Sequence, residues 1–154
     1  LVSPADGVIS QIVKTKGPRE LGLEEKEFTR VSIFMNVFNC HVNRLPASGK
    51  ITKIIYKPGK YINASFDKAS EENERNYVKM ISSSKDELVV TQIAGLIARR
   101  IVWDIKEEQQ VKQGERFGII RFGSRVDLFF SDYEILVRKD QKTIGGETLI
   151  AKKK

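Results

Sequence analysis

The chain has 154 residues, 40% of them hydrophobic and 31% charged in mixed signs, enough for one domain with a buried core and unlike an intrinsically disordered segment. With 27 basic against 20 acidic residues the net charge is +7, which favours anionic partners without choosing among nucleic acid, an anionic membrane surface and a small anionic substrate. Cys40 is the single cysteine, so an intramolecular disulfide and a multi-cysteine metal site are excluded, and no apolar run approaches the ~20 residues of a spanning helix.

The apolar pattern has the period of strands. In chain order it predicts strands over 7–13, 31–38, 50–56, 77–81, 88–94, 117–122, 124–130 and 133–137, with Gly or Pro at Asp6-Gly7, Pro46, Pro58-Gly59, Gly114 and Gly145-Gly146 marking the turns. In 31–38 both alternating faces are largely apolar, as in a strand packed between two layers. Helical signals are weaker: 69–75 is polar with good helix formers, and 96–105 mixes apolar and basic residues. The predicted class is mainly β, a β-sandwich or barrel-sandwich-like domain with one or two short helices.

Two segments look alike. Val111-Lys112-Gln113-Gly114-Glu115 and Lys142-Thr143-Ile144-Gly145-Gly146-Glu147 each place Gly-Glu before an apolar stretch, as in the hairpins of biotinyl and lipoyl carrier domains, and read as structural repeats. A carrier or binding module without catalysis is the first rival reading. A nucleic-acid-binding domain is the second, but the chain lacks an interleaved aromatic and basic surface motif: Phe117 and Phe122 lie in an apolar run of core character.

Ordinary catalytic side chains are scarce, with one histidine, His41, and no metal-binding cluster. The informative stretch is Ile120-Arg121-Phe122-Gly123-Ser124-Arg125-Val126-Asp127, a strand that runs into Gly-Ser and continues as a strand. On the residues alone this is either a bulge or bend or a self-processing junction, where glycine leaves its carbonyl open to attack by the serine hydroxyl. His41 reads either as a proton donor near neutral pH or as a histidine that orders the turn at 39–46; Asp6 reads as a turn aspartate.

Taken together, the segments Ser3-Pro4-Ala5-Asp6-Gly7, Phe34-Met35-Asn36-Val37-Phe38-Asn39-Cys40-His41-Val42-Asn43-Arg44-Leu45-Pro46, Pro58-Gly59-Lys60-Tyr61-Ile62-Asn63-Ala64, Asn73-Glu74-Arg75, 92–101, Arg121-Phe122-Gly123-Ser124-Arg125-Val126-Asp127 and Gly146-Glu147-Thr148 run in an order that resembles the pyruvoyl-dependent phosphatidylserine decarboxylase family, specifically its short bacterial branch. The resemblance implies one catalytic domain over 1–154, self-cleaved between Gly123 and Ser124 into a large chain 1–123 and a small chain 124–154 that hold each other. It implies a covalent pyruvoyl cofactor derived from Ser124, a Schiff base with the serine headgroup of phosphatidylserine, and release of CO2 to leave phosphatidylethanolamine; archaetidylserine is an alternative substrate for the same chemistry.

For the site residues the resemblance implies His41 as proton donor and Asp6 as an aid to self-cleavage. Related proteins carry a second histidine where this chain has Arg44, and a guanidinium cannot serve as the base. The base is then His41 or Asp6, with Arg44 stabilising the oxyanion at Gly123. Arg75, Arg99, Arg100 and Arg125 are candidates for binding the anionic headgroup. Leu96-Ile97-Ala98 ahead of Arg99-Arg100 is a candidate for contact with an anionic membrane surface, whereas the lysine tail 152–154 reads as solvated. The implied location is the cytoplasmic face of the bacterial membrane, peripheral or anchored by a segment upstream of Leu1, with homo-oligomerisation open and no nucleic-acid partner expected.

Overall fold

A computed structural model describes residues 1–36, 41–66, 68–96, 100–120 and 123–154. The described strands are β1 (Gly7–Lys16), β2 (Glu27–Met35), β3 (Val42–Arg44), β4 (Gly49–Lys57), β5 (Arg75–Ser82), β6 (Glu87–Ile93), β7 (Ile101–Trp103), β8 (Gln110–Val111), β9 (Arg116–Ile120), β10 (Ser124–Phe130), β11 (Tyr133–Ile135), β12 (Lys142–Thr143) and β13 (Ala151–Lys153). Eight of them form one antiparallel sheet in the order β12-β1-β2-β10-β6-β5-β4-β8, and β3-β9-β7 and β11-β13 form smaller sheets. The mainly β expectation holds.

The large sheet is built twice over. Gly7 opens β1 and Gly49 opens β4, each in a Pro-Ala-x-Gly segment (Pro4 to Gly7, Pro46 to Gly49). Each glycine lies against a neighbouring carbonyl, where a Cβ would come within 2.3 Å of Phe34 O and 2.2 Å of Ile81 O. Both strands bulge two residues later, between Ile9 and Gln11 and between Ile51 and Lys53. The strand order is correspondingly mirrored, with β10 and β6 at the centre.

β10 is buried throughout, with β2 on one side and β6 on the other. Strand alternation sends Ser124, Val126, Leu128 and Phe130 to one face and Arg125, Asp127 and Phe129 to the other. The first face meets the main core, which includes Ile9, Ile33, Met35, Leu45, Phe117 and Ile120. On the second face Phe129 packs with Leu23, Phe28, Tyr77 and Val89. Each such large apolar side chain removed from water contributes about 1.5–3 kcal/mol, so β10 is fastened by packing as well as by its two ladders.

Some predicted boundaries shift. The helix expected over 69–75 is a four-residue turn of helix, Ala69–Glu72, because Asn73 is already extended and β5 begins at Arg75. The described part of 96–105 is strand at Ile101–Trp103, paired with β9; residues 97–99 lie outside the described residues, as do 37–38 and 121–122 at the ends of two predicted strands. β3, β8, β12 and β13 are too short to leave a periodic signal.

Candidate active site

Gly123 has φ +77°, in the left-handed region that favours glycine. Its N–H donates to the carbonyl of Met35 at 2.6 Å, and the next residue, Ser124, pairs with Met35 as the first residue of β10. The chain therefore turns sharply at Gly123 and enters a strand held on both sides. Ser124 is fully buried, and its hydroxyl donates to Met35 Sδ at 3.7 Å. A serine hydroxyl inside the core, next to a glycine carbonyl at a turn, is the juxtaposition that attack on the preceding peptide bond requires.

Behind Ser124 runs a polar chain inside the sandwich. Asn43 Nδ2 donates to the same Met35 sulfur at 3.8 Å, Gln92 Nε2 donates to Asn43 Oδ1 at 2.9 Å, and Asn76 Nδ2 donates to Gln92 Oε1 at 3.0 Å. All three amides are buried. Gly118 leaves the room this needs, since a Cβ there would lie 2.6 Å from Gln92 Nε2. These amides are not among the residues that the sequence singles out; the signal that could have found them is Gln92 within the apolar run Leu88 to Ala94, a polar residue on a core-facing position that must find partners.

His41 stands just before β3, and its carbonyl accepts from Ile120 N at 3.2 Å, which continues the β3–β9 ladder to the end of β9 that leads into Gly123. The side chain is half-buried and its Nε2 is shielded from solvent. Asp6, just before β1, accepts the Gly145 N–H at 2.6 Å and so closes the turn that follows β12, the partner of β1. Arg44 donates to Gly114 O at 2.9 Å, and its Cδ lies under Gly146, where a Cβ would approach it to 2.8 Å. Gly114 and Gly146 are both left-handed, φ +81° and +78°. The two Gly-Glu turns of the sequence thus meet on one arginine.

The candidate headgroup arginines separate. Arg125 is buried, with Nε 2.9 Å from Asp127 Oδ1 and Nη2 3.1 Å from Asp127 Oδ2, and with Nη1 donating to the carbonyls of Ala64 and Phe66, both at 3.1 Å. Arg75 is buried on the same face of the sheet: Nε donates to Tyr77 Oη at 2.6 Å, Nη1 to Asn73 O at 2.8 Å and Nη2 to Glu20 Oε2 at 2.7 Å. Burial acts to raise the Glu20 carboxyl, but hydrogen bonds and the Arg75 charge outweigh it and leave it below its usual range; burial pushes Tyr77 up to about 12. Both guanidiniums are hydrogen-bonded into the framework of the sheet. Arg100 is exposed, and Arg99 lies outside the described residues.

A cleft of about 570 Å3 opens beside Arg75, Tyr77, Thr91 and Asp127. It lies on the face of β10 opposite to Ser124. Among the described residues no group of three or more His, Cys, Asp or Glu side chains could hold a metal ion, and no helix is long and apolar enough to cross a membrane.

Comparison with known proteins decides the family. The family model described as phosphatidylserine decarboxylase matches residues 1–151. The chain belongs to the phosphatidylserine decarboxylase family. It is 61% identical to a phosphatidylserine decarboxylase proenzyme of Pelagibacter ubique over 99% of this chain and 71% of that protein. It is 57% identical to the proenzymes of Rickettsia typhi and Rickettsia bellii over 98% of this chain and 66% of each relative. It thus spans about two thirds of the length of these relatives, all of which carry the proenzyme designation.

Proposed function

We propose that this chain is the catalytic domain of a phosphatidylserine decarboxylase that cuts itself between Gly123 and Ser124. The observation that carries the reading is a left-handed glycine directly ahead of a fully buried serine at the head of a central strand, in a chain of this family. Ser124 Oγ adds to the Gly123 carbonyl carbon, the Gly123–Ser124 C–N bond breaks, and the nitrogen takes up a proton, leaving an ester and a free amine. Loss of the Ser124 α-proton expels the Gly123 carboxylate and leaves dehydroalanine; tautomerisation and addition of water release ammonia and leave a pyruvoyl group.

The surroundings of Ser124 suit that group. Met35 lines it with a thioether, which accommodates a methyl ketone as readily as a hydroxymethyl, and β2 and β6 hold the new chain end. A pyruvoyl group supplies a keto carbonyl that takes up the substrate amine and drains the electron pair left by CO2. The remaining work falls to the chain's own side chains: His41, just before β3 and beside the end of β9, is the proton donor at the carbon that loses CO2, and Asp6 assists the cut from just ahead of β1.

The two pieces would stay together. The small chain contributes β10, paired to β2 over seven residues and to β6 over five. Its end is stitched to the large chain by Leu1 N to Ala151 O at 2.7 Å, Ser3 N to Thr148 O at 2.8 Å and Ile150 N to Leu1 O at 2.9 Å.

Phe66 and Leu96 are 53% and 56% exposed. They stand close in sequence to Ala64 and Gly95, and Gly95 lies against the Gly123 carbonyl. They suit contact with the apolar part of an anionic membrane surface, with Arg100 at headgroup level, at the cytoplasmic face of the membrane. The test is intact mass spectrometry of freshly made protein together with turnover of phosphatidylserine vesicles. Two chains are expected, the smaller one lacking a free amine and tagged by phenylhydrazine. A single untagged chain that decarboxylates the lipid would sink the proposal.

A further inference from the structure

Gly95 and Gly123 each lie two residues beyond the last ladder pair of β6 and β10, Ile93 with Arg125, and there the two backbones nearly touch. A Cβ on Gly95 would stand 1.7 Å from the Gly123 carbonyl oxygen and 2.7 Å from its carbon, with Ala64 Cβ 3.4 Å away on another side. The obstacle is backbone, not a flexible side-chain end, so a side chain at 95 could enter only by turning the Gly123 carbonyl or moving the strand end.

The strand end is tied down. Asn73, fully buried, donates from Nδ2 to Ala94 O and to Ile62 O, both at 2.7 Å, and accepts the Ile62 N–H on Oδ1 at 3.0 Å. Ala94 N donates to Glu74 O at 2.9 Å and Arg75 Nη1 to Asn73 O at 2.8 Å, while Arg125 Nη1 holds Ala64 O. The Asn73-Glu74-Arg75 segment thus fixes the backbone on the near side of Gly95 and the loop that faces it.

We infer that Gly95, held in place by Asn73, is the seat of the scissile carbonyl, a positioning element that sets the orientation in which Ser124 Oγ reaches the Gly123 carbon. The inference rests on the self-cleavage reading above. In the attack the carbonyl oxygen gains charge as the carbon becomes tetrahedral, and a seat that admits only two α-hydrogens leaves the oxygen in one orientation while its carbon stays open to the hydroxyl. Displacement of a reacting group by ~1 Å is enough to cost about 100-fold in rate.

The experiment follows cleavage of the full chain over time by mass spectrometry, with and without neutral hydroxylamine, which cuts an ester but not an amide. The unsubstituted chain and Ser124→Ala test the underlying reading: if the former is never cut, or the latter is cut, self-cleavage at Gly123–Ser124 fails as a whole. Given that those two behave, folded Gly95→Ala is expected to be cut about 100-fold more slowly and to accumulate no hydroxylamine-sensitive ester, since the attack itself is blocked. Cleavage at the unsubstituted rate, or build-up of the ester, overturns the role of Gly95. Should Gly95→Ala not fold, Asn73→Gln decides, because it keeps the amide while displacing Ala94: cutting slowed about tenfold or more supports the seat, and an unchanged rate removes it.

Discussion

Asp6 and Ser48 perform the same hydrogen bond at two equivalent turns: Asp6 Oδ1 accepts from Gly145 N at 2.6 Å and Ser48 Oγ accepts from Gln113 N at 2.8 Å. Each stands one residue before the glycine that opens its strand, β1 or β4. A hydroxyl therefore suffices to close this turn, and the carboxylate at position 6 adds a charge that the turn does not need. Asp6→Ser is expected to keep the fold, with a thermal midpoint within a few degrees, and to slow self-cleavage. Equal cleavage rates for the two proteins would reduce Asp6 to a turn residue.

Ser124→Ala should yield one intact, folded chain without a carbonyl group. Alanine removes the hydroxyl and its contact with Met35 sulfur but leaves the ladders of β10 with β2 and β6 in place, so the protein should still fold. Intact mass and phenylhydrazine labelling check it, and a cut or labelled alanine protein would contradict the assigned junction.

Gln92→Leu breaks the polar chain in its middle. Asn43 and Asn76, both fully buried, then each lose a hydrogen-bond partner, at about 1–3 kcal/mol for each group left unsatisfied. A loss of roughly 2–6 kcal/mol is expected from the urea midpoint, with unchanged slope. A neutral result would show that the amides re-pair without Gln92.

Arg125→Met leaves Asp127 buried with Arg30 Nε, 4.0 Å away, as its remaining ion-pair neighbour among the described residues. Removing one partner of a buried pair costs about 3–5 kcal/mol, so the variant should express poorly or melt far lower, and Arg125→Met with Asp127→Leu should recover much of the loss. Arg100→Ala, at an exposed position, should leave the melting point alone and raise KM for phosphatidylserine vesicles. If Arg125→Met folds normally and only KM rises, Arg125 is a headgroup ligand after all.

The Glu20–Arg75 pair makes stability depend on acid. Because the Glu20 carboxyl sits below its usual value of 4.5 in the folded chain, the unfolded chain binds its proton first as the pH falls. The stabilisation is present above about 4.5 and is lost as the pH drops through the lower folded value. Glu20→Gln should be less stable near neutrality and show a flatter loss of stability in acid; chemical denaturation between pH 6 and 3 checks the slope.

Strand-length apolar segments bounded by turn residues mark β1, β2, β4, β5, β6, β9 and β10, alternating where one face is exposed and nearly continuous where both are covered, as in β2 and β10. The junction Gly123-Ser124, His41 and Asp6 are legible as a family pattern spread along the chain. Residues such as Arg75 and Arg125 are ambiguous there, since a guanidinium in a sequence carries no sign of whether its donors are already taken; burial beside Glu20 and Asp127 decides that. The contact of Gly95 with Gly123 and the amide chain from Asn76 to Met35 join residues remote in sequence. Only folding brings them within hydrogen-bond or van der Waals range, so local patterning determined the strands and the family pattern marked Gly123-Ser124, while the pairing of β10 with β2 and β6 determined what surrounds that peptide bond.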